Sequence, residues 1–507
     1  MPPQPPPRRL DLSREARFLI VPLLYALVRL LVAPRVYDEY ATLYPLIVEF
    51  GTTNAHEIFH PLYVPILQLL GRLAVLVGYT GLSLPVFQFF SLAGAVAQLW
   101  LVSRIAFEIF GELRPAIAAA GVATASQNLW FWSMQTMPYT WAAAALLGCA
   151  WALMRARSFT PREAAGLGIL TGLAVGLNVA CVALVPVVLI EMYLSEKNGR
   201  RAAEPAALYL GLSLCGALAA FAPFVLMGRY PHGAIFERVW NSSVDMEPFY
   251  QTRSVSWQLR ELFAAGVPED MPLWILTAFF ALLSWTAWRK NGWPGPQRKA
   301  VRVGALLFAA VAVFFFLNDP RNRFLFSAAL LFPVLVVVAL SRLGRPAAAA
   351  ALVWAALVAR NAFFSAAYLP ASNPGFDEAR FVRGRLGPRD LLLALAAPDW
   401  FFTYALHGAV PVARLRGRGE RDDAADAYAP GPDLNARLRR TLCSGGRVVL
   451  ASDALFRPGN LSPEDFDAAA SALLAGLRGD FALGEPLVSP AGQHYYPISL
   501  KRAAACP

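Results

Sequence analysis

HPLYVPILQLLGRLAVLVGY, residues His60 to Tyr79, decides how this chain is threaded. The run is long enough to cross a bilayer, which takes roughly 20 apolar residues. It nevertheless carries His60, Pro61, Pro65, Gln68 and Arg72. The basic residues elsewhere arbitrate. If the run lies along the membrane, the clusters Arg8/Arg9/Arg14/Arg17, Arg104/Arg114, Arg155/Arg157/Arg162, Lys197/Arg200/Arg201, Arg289/Lys290/Arg298/Lys299/Arg302 and Arg342/Arg345 all fall on one side. If it crosses, the later clusters flip outward, against the preference of cytoplasmic loops for Lys and Arg. The expectation over 60–79 is therefore an interfacial or re-entrant helix on the outer face.

Working outward, apolar runs that could span occur at 18–34, 84–104, 115–132, 136–154, 164–180, 181–194, 205–228, 271–288, 301–317, 322–341 and 346–364. That is about eleven spans of the length a bilayer requires. The pair 164–180 and 181–194 is short and nearly continuous, which predicts a helical hairpin. Residues 1–17 are proline-rich and then basic, and no small-residue cleavage site follows the first run, so it reads as a cytoplasmic tail and an uncleaved first span. The expected transmembrane domain covers 18–368, with a first outer loop at 35–83 and a second at 229–270.

Composition agrees with this class. Of the 507 residues, 57% are hydrophobic and only 16% charged, well under the roughly one-quarter of soluble domains. Lipid is the solvent such a surface needs. The net charge of +11 sits in short clusters between apolar runs, with no RNA- or DNA-binding signature, which sets nucleic acid aside. The five cysteines form no Cys-x-x-Cys pair, so neither a zinc framework nor a disulfide framework is indicated.

From residue 369 to 507 the chain changes character. Charges rise, and LLLALA (Leu391 to Ala396) and RVVLAS (Arg447 to Ser452) read as strands. DWFFTYALHG (399–408) and the serine-capped SPEDFDAAASALLAGL (462–477) read as helices. Strands alternating with helices predict a C-terminal soluble α/β domain on the outer face.

All concentrated polar chemistry thus falls on one side. VYDEYATLYPLI places Asp38 and Glu39 directly after the first span. A carboxylate at a lipid–water boundary has raised basicity, which suits a general base; acidic residues also simply end helices there. His56-Glu57-Ile58-Phe59-His60 fits the His-Glu-x-x-His zinc motif, with His56 and His60 as ligands and Glu57 as base. Pro61 pushes His60 out of helical geometry, which spoils the one-turn spacing the ligands need, and no third ligand is evident. The aromatic stretch Asn128 to Trp141 reads as an interfacial belt.

An Asp-Glu pair after the first span resembles the first outer loop of the GT-C glycosyltransferases, which include protein O-mannosyltransferases and bacterial aminoarabinose transferases. HPLY (His60 to Tyr63), VSRIAFEIFGELRPAIAAAGVATAS (Val102 to Ser126) and NDPRNRFLFSAALLFPVLV (Asn318 to Val336) follow in the order and spacing of that superfamily's pieces. Phe324 stands where those proteins usually have Tyr, and the resemblance covers roughly residues 18–345.

The resemblance implies a transferase that uses a polyprenyl-phosphate sugar as donor and a lipid, glycan or protein as acceptor. Asp38 would be the base and Glu39 its orienting neighbour. Arg321 and Arg323, with His60, would hold the lipid phosphate, guanidinium matching phosphate geometry; helix-end anchoring is the plainer role of such arginines. No cofactor is required by this reading, although a divalent metal is compatible with it. A bacterial inner membrane is the expected location, with the N-terminus cytoplasmic. Two other classes are open. A transporter or lipid flippase would show internal repeats and charges paired in mid-span, and none is evident. A membrane zinc protease would rest on His56, Glu57 and His60.

Overall fold

The computed structural model describes residues 12–32, 60–79, 84–156, 159–195, 199–226, most of 298–310, 346–367, 374–394, 410–414, 432–452 and most of 474–501, with Leu340, Leu406 and Cys506 besides. They form two units, a helical one up to 367 and an α/β one within Pro370–Pro507.

The helical unit opens with α1 (Leu12–Phe18) and α2 (Ile20–Val32), followed by α3 (Tyr63–Leu76), α4 (Leu84–Phe110), α5 (Leu113–Ala123), α6 (Gln127–Trp132) and α7 (Tyr139–Arg155). Then come α8 (Pro161–Leu177), a short 3-10 turn (Val179–Ala183), α9 (Leu184–Ser195), α10 (Gly199–Leu226) and α11 (Pro346–Ala367). Leu84–Phe110 and Ala202–Pro223 are long and apolar enough to cross a membrane unaided. On α2, Leu23, Leu24, Leu27 and Leu31 are more than half exposed, a face that only hydrocarbon would cover without cost. The candidate spans at 271–288 and 322–341 lie outside the described residues, Leu340 apart, as does the loop 229–270.

Helix α3 has 14 residues, about 21 Å at the α-helical rise. That is shorter than the roughly 30 Å hydrocarbon core. Tyr63, Val64 and Leu67 are buried, while Leu69, Leu73, Val75 and Leu76 are exposed.

Helix α8 starts where its sequence says it should. Thr160 accepts a hydrogen bond from the Glu163 N–H, Glu163 accepts one from the Thr160 N–H, and Pro161 takes the first helical position. It ends at Asn178, whose side chain accepts from the Ala180 N–H and starts the 3-10 turn. Along α8, Gly168, Gly172 and Gly176 recur every four residues against α10. A methyl added at Gly172 would stand 2.7 Å from the Gly216 Cα and 2.8 Å from the Ser213 carbonyl. The two backbones touch because no side chain separates them, the usual route to close packing between membrane helices.

The run at 115–132, expected as one span, is broken. Ser126 leaves helical geometry (ψ 123) and its hydroxyl accepts from the Leu129 N–H, capping α6. The following segment turns inward: Trp132, Met134, Met137 and Tyr139 are buried. It is core, and not the lipid–water belt its aromatic content suggested.

Ion pairs gather the basic clusters at one end of the bundle. Arg104 pairs with Glu15 at 2.9 Å and Arg155 with Glu108 at 3.7 Å. Arg302 pairs with fully buried Glu191 at 2.6 Å, and Lys299 donates to the Ala156 carbonyl. Since α2, α5, α7 and α8 each have one terminus at that end, their other termini meet at the opposite one.

The α/β unit contains α12 (Pro374–Arg383), β1 (Leu391–Ala394), β2 (Val412–Arg414), α13 (Pro432–Cys443), β3 (Val448–Ala451), β4 (Phe481–Leu483), β5 (Leu487–Val488) and β6 (His494–Leu500). The sheet order is β2-β1-β3-β6-β4, with β5 also on β6. β1 runs parallel to β2 and β3, and β6 is antiparallel to β3, β4 and β5. Leu391, Leu393, Val448 and Leu450 face α13 through Leu438, while Leu392, Val449 and Ala451 face α12 through Ala379 and Val382. Covered on both faces, β1 and β3 read LLLA and VVLA without polar alternation. Most of 399–408 and 462–477 lies outside the described residues.

One expectation is overturned. Cys443 and Cys506 form a disulfide across a sequence separation of 63, with Cα atoms 5.5 Å apart. Their distance in sequence hid a pairing that the fold brings about.

Candidate functional site

The end of the bundle opposite the basic clusters is where the short segment from Ser126 to Tyr139 folds in. It gathers three buried cationic or titratable side chains from outside itself. From α2, Arg29 is 3% exposed. Its Nε–H donates to Ser133 Oγ at 3.1 Å and its Nη2–H to the Trp130 carbonyl at 2.8 Å, and its guanidinium carbon lies 4.7 Å from the Trp130 ring centre. One turn earlier, Tyr25 donates its hydroxyl to Leu129 O and Ser133 Oγ, both at 3.0 Å.

On the other flank stands His60, also 3% exposed. Its Nδ1 lies 3.1 Å from the Leu177 carbonyl. A carbonyl only accepts, so Nδ1 carries the proton. The ring meets Tyr139 edge-on at 5.9 Å, and Tyr139 meets Trp132 at 4.6 Å. The backbone follows, with the Leu62 N–H donating to the Gly176 carbonyl at 2.9 Å. The entrance of α3 is thus tied to the exit of α8.

The same segment holds Gln135, fully buried, with neither its amide oxygen nor its amide nitrogen hydrogen-bonded among the described residues. A buried amide with no partner in the protein calls for one from outside it.

Of the residues expected from sequence, His60 is therefore placed in this cluster. Asp38, Glu39, Arg321, Arg323, His56 and Glu57 lie outside the described residues. Reasoning from sequence passed over Arg29 as a helix-end charge and Gln135 as part of an aromatic belt. The signal for Arg29 was present: it is the only charge in the apolar run from Phe18 to Ala33. Among the described residues no group of three or more His, Cys, Asp or Glu could hold a metal ion.

A comparison with protein-family models finds no match, and neither does one with curated protein sequences. Solved structures do match. ArnT from Cupriavidus metallidurans bound to undecaprenyl phosphate superposes with a TM-score of 0.59 and 14% identity, over 96% of this chain and 98% of that one. ArnT in the apo state gives 0.55 and 13%, over 96% and 98%. An oligosaccharyltransferase from Archaeoglobus fulgidus, in complex with Zn and sulfate, gives 0.49 and 14%, over 95% and 72%. At such identities the likeness speaks for the fold alone: over nearly its whole length this chain is folded like ArnT.

Proposed function

We propose that this protein is a membrane glycosyltransferase that moves a sugar from a polyprenyl-phosphate carrier to an acceptor hydroxyl. The observation that carries the reading is the ArnT fold over 96% of the chain, in a protein that buries Arg29, His60 and Gln135 away from its basic clusters. ArnT was crystallised with undecaprenyl phosphate, which gives the class of carrier.

In this mechanism Asp38 takes the proton of the acceptor hydroxyl, with Glu39 orienting the pair. The freed oxygen attacks the anomeric carbon of the donor. The bond from that carbon to the phosphate oxygen breaks, its electron pair leaves with the carrier phosphate, and the configuration inverts. Arg321, Arg323 and the Nε2 side of His60 receive the phosphate charge, which is where catalytic electrostatics have most effect. The sugar is a hexose or pentose, and the acceptor is a lipid, glycan or protein.

The basic clusters and the N-terminus belong to the cytoplasmic side. The α/β unit lies outside, where the Cys443–Cys506 bond suits an oxidising compartment such as a bacterial periplasm. The test is direct: purified protein in lipid nanodiscs, given radiolabelled polyprenyl-phosphate sugars and envelope extracts. Transfer of label to an acceptor is expected. Failure of every donor either to bind or to react would remove the reading.

A further inference from the structure

Arg29 carries a charge that no acidic side chain among the described residues neutralises. It sits within the apolar run of α2, 3% exposed, and its contacts are all neutral: the Ser133 hydroxyl, the Trp130 carbonyl, the Trp130 ring and the Tyr25 phenol. No carboxylate among the described residues pairs with it. The other buried charges of the helical unit show the contrast: Arg104 pairs with Glu15 at 2.9 Å, and Glu191 has Arg302 bonded to both of its oxygens at 2.6 and 2.9 Å. A guanidinium has five N–H donors, and two strong bonds leave most of that capacity open. Cation–π contact and carbonyl dipoles offset part of the cost of removing a cation from water, but only a counter-ion offsets the charge itself.

The surroundings say how such a counter-ion arrives. Leu27, Leu30 and Leu31, on the other side of α2 from Arg29, are exposed at 55%, 47% and 74%. The helix turns that side to hydrocarbon while it holds the cation within the bundle, so a counter-ion that reaches Arg29 from the lipid is the anionic head of an amphiphile. The guanidinium is also held firmly. Ser133 accepts from Tyr25 and Arg29 and donates to Trp130 O at 3.0 Å, which fixes the guanidinium plane before any ligand comes.

We infer that Arg29 is a binding residue for the phosphate of the isoprenoid carrier, holding the monoester once the sugar has left it. The inference rests on the transferase reading and adds a second cationic position, inside the first span, to the arginines of the late loop. A phosphate monoester suits the site better than a phospholipid diester because it brings the larger negative charge to an uncompensated guanidinium. Arg29 acts by binding the carrier, and takes no proton in the reaction.

The experiment measures binding of undecaprenyl phosphate to the full chain in nanodiscs, beside undecaprenol and phosphatidylglycerol. Wild type is expected to bind the phosphate and not the alcohol. Arg29→Gln is expected to weaken that binding about tenfold or more, and Arg29→Lys to restore part of it. Should Arg29→Gln fail to fold, Arg29→Lys decides: it keeps the charge but loses the planar fork, so binding several-fold weaker than wild type is expected. Unchanged affinity in a folded Arg29 variant overturns the inference while leaving the transferase reading intact. Binding of phosphatidylglycerol as tight as that of undecaprenyl phosphate overturns the choice of carrier. If wild type binds undecaprenyl phosphate through Arg29 but transfers no sugar, the transferase reading fails and the site stands.

Discussion

His60 donates its Nδ1–H to the carbonyl oxygen of Leu177, 3.1 Å away, so the residue that opens one helix satisfies the last carbonyl of another. Helix C-termini leave four carbonyls without intrahelical partners, and here a buried imidazole serves one of them. The same ring was expected to face a phosphate. Both uses are compatible, because the first engages Nδ1 and the second would engage Nε2.

The two uses separate by substitution. His60→Ala is expected to cost about 1–3 kcal/mol of stability through the unsatisfied Leu177 carbonyl, read as a fall in Tm in lipid. His60→Asn keeps an N–H donor near the position of Nδ1 and should recover most of that loss. If it recovers Tm yet still binds donor weakly, Nε2 serves the phosphate; if it recovers both, His60 is a structural tie only.

Close approach of α8 and α10 predicts sharp sensitivity at one glycine and none at a neighbour. Gly172→Leu would force side-chain carbons into the Gly216 and Ser213 backbone and should cost about 3 kcal/mol or more. Gly211→Ala, in the same helix pair, meets nothing within 4 Å and should be neutral or slightly stabilising, since alanine favours a helix over glycine. Equal Tm values for the two variants would mean the helices do not touch through their backbones.

In the α/β unit, Asp390 accepts from the Gly387 N–H at 2.8 Å, the Arg447 N–H at 2.7 Å and the Arg447 guanidinium at 2.8 and 3.2 Å. Burial pushes its carboxyl up, but the bonds from Arg447 and Gly387 outweigh it and hold it below the ordinary range. A depressed carboxylate stabilises the fold above its unfolded pKa, near 3.9, and that stability is lost as pH falls through the lower folded value. Asp390→Asn should therefore cost about 2 kcal/mol at neutral pH. The gap to wild type should close in unfolding curves taken well below about pH 4. A gap that persists at low pH would assign the effect to packing.

Reduction of Cys443–Cys506 should loosen the same unit. Closing a loop of 63 residues is worth about 4 kcal/mol on the chain-entropy estimate. Cys443→Ser with Cys506→Ser should lower the unfolding temperature of the unit and leave the helical unit's Tm unchanged. Non-reducing gels of protein from intact cells should show the bond formed; free thiols at both positions there would place the unit on the reducing side.

What the sequence made legible follows from how each element is buried. LLLA and VVLA could be read as strands because both of their faces are covered, so no polar residue interrupts them. His60 to Tyr79 could be read as something other than a plain span because its prolines and Arg72 resist one. Gly168 and Gly172 stand four residues apart, but nothing in that spacing names α10 as the partner. Arg29 looked like a helix end until Ser133 and Trp130, about a hundred residues on, proved to be its ligands. Cys443 and Cys506 were hidden for the same reason: sequence patterns report local periodicity, and these contacts are made only after the chain has folded.

The central claim is that Asp38 activates an acceptor hydroxyl toward a polyprenyl-phosphate sugar. The most direct measurement compares wild type with Asp38→Asn in nanodiscs, scoring donor binding and sugar transfer on the same samples. The account predicts unchanged donor binding and a loss of transfer of at least about a hundredfold, the scale of a missing general base. Transfer that survives in Asp38→Asn would contradict it.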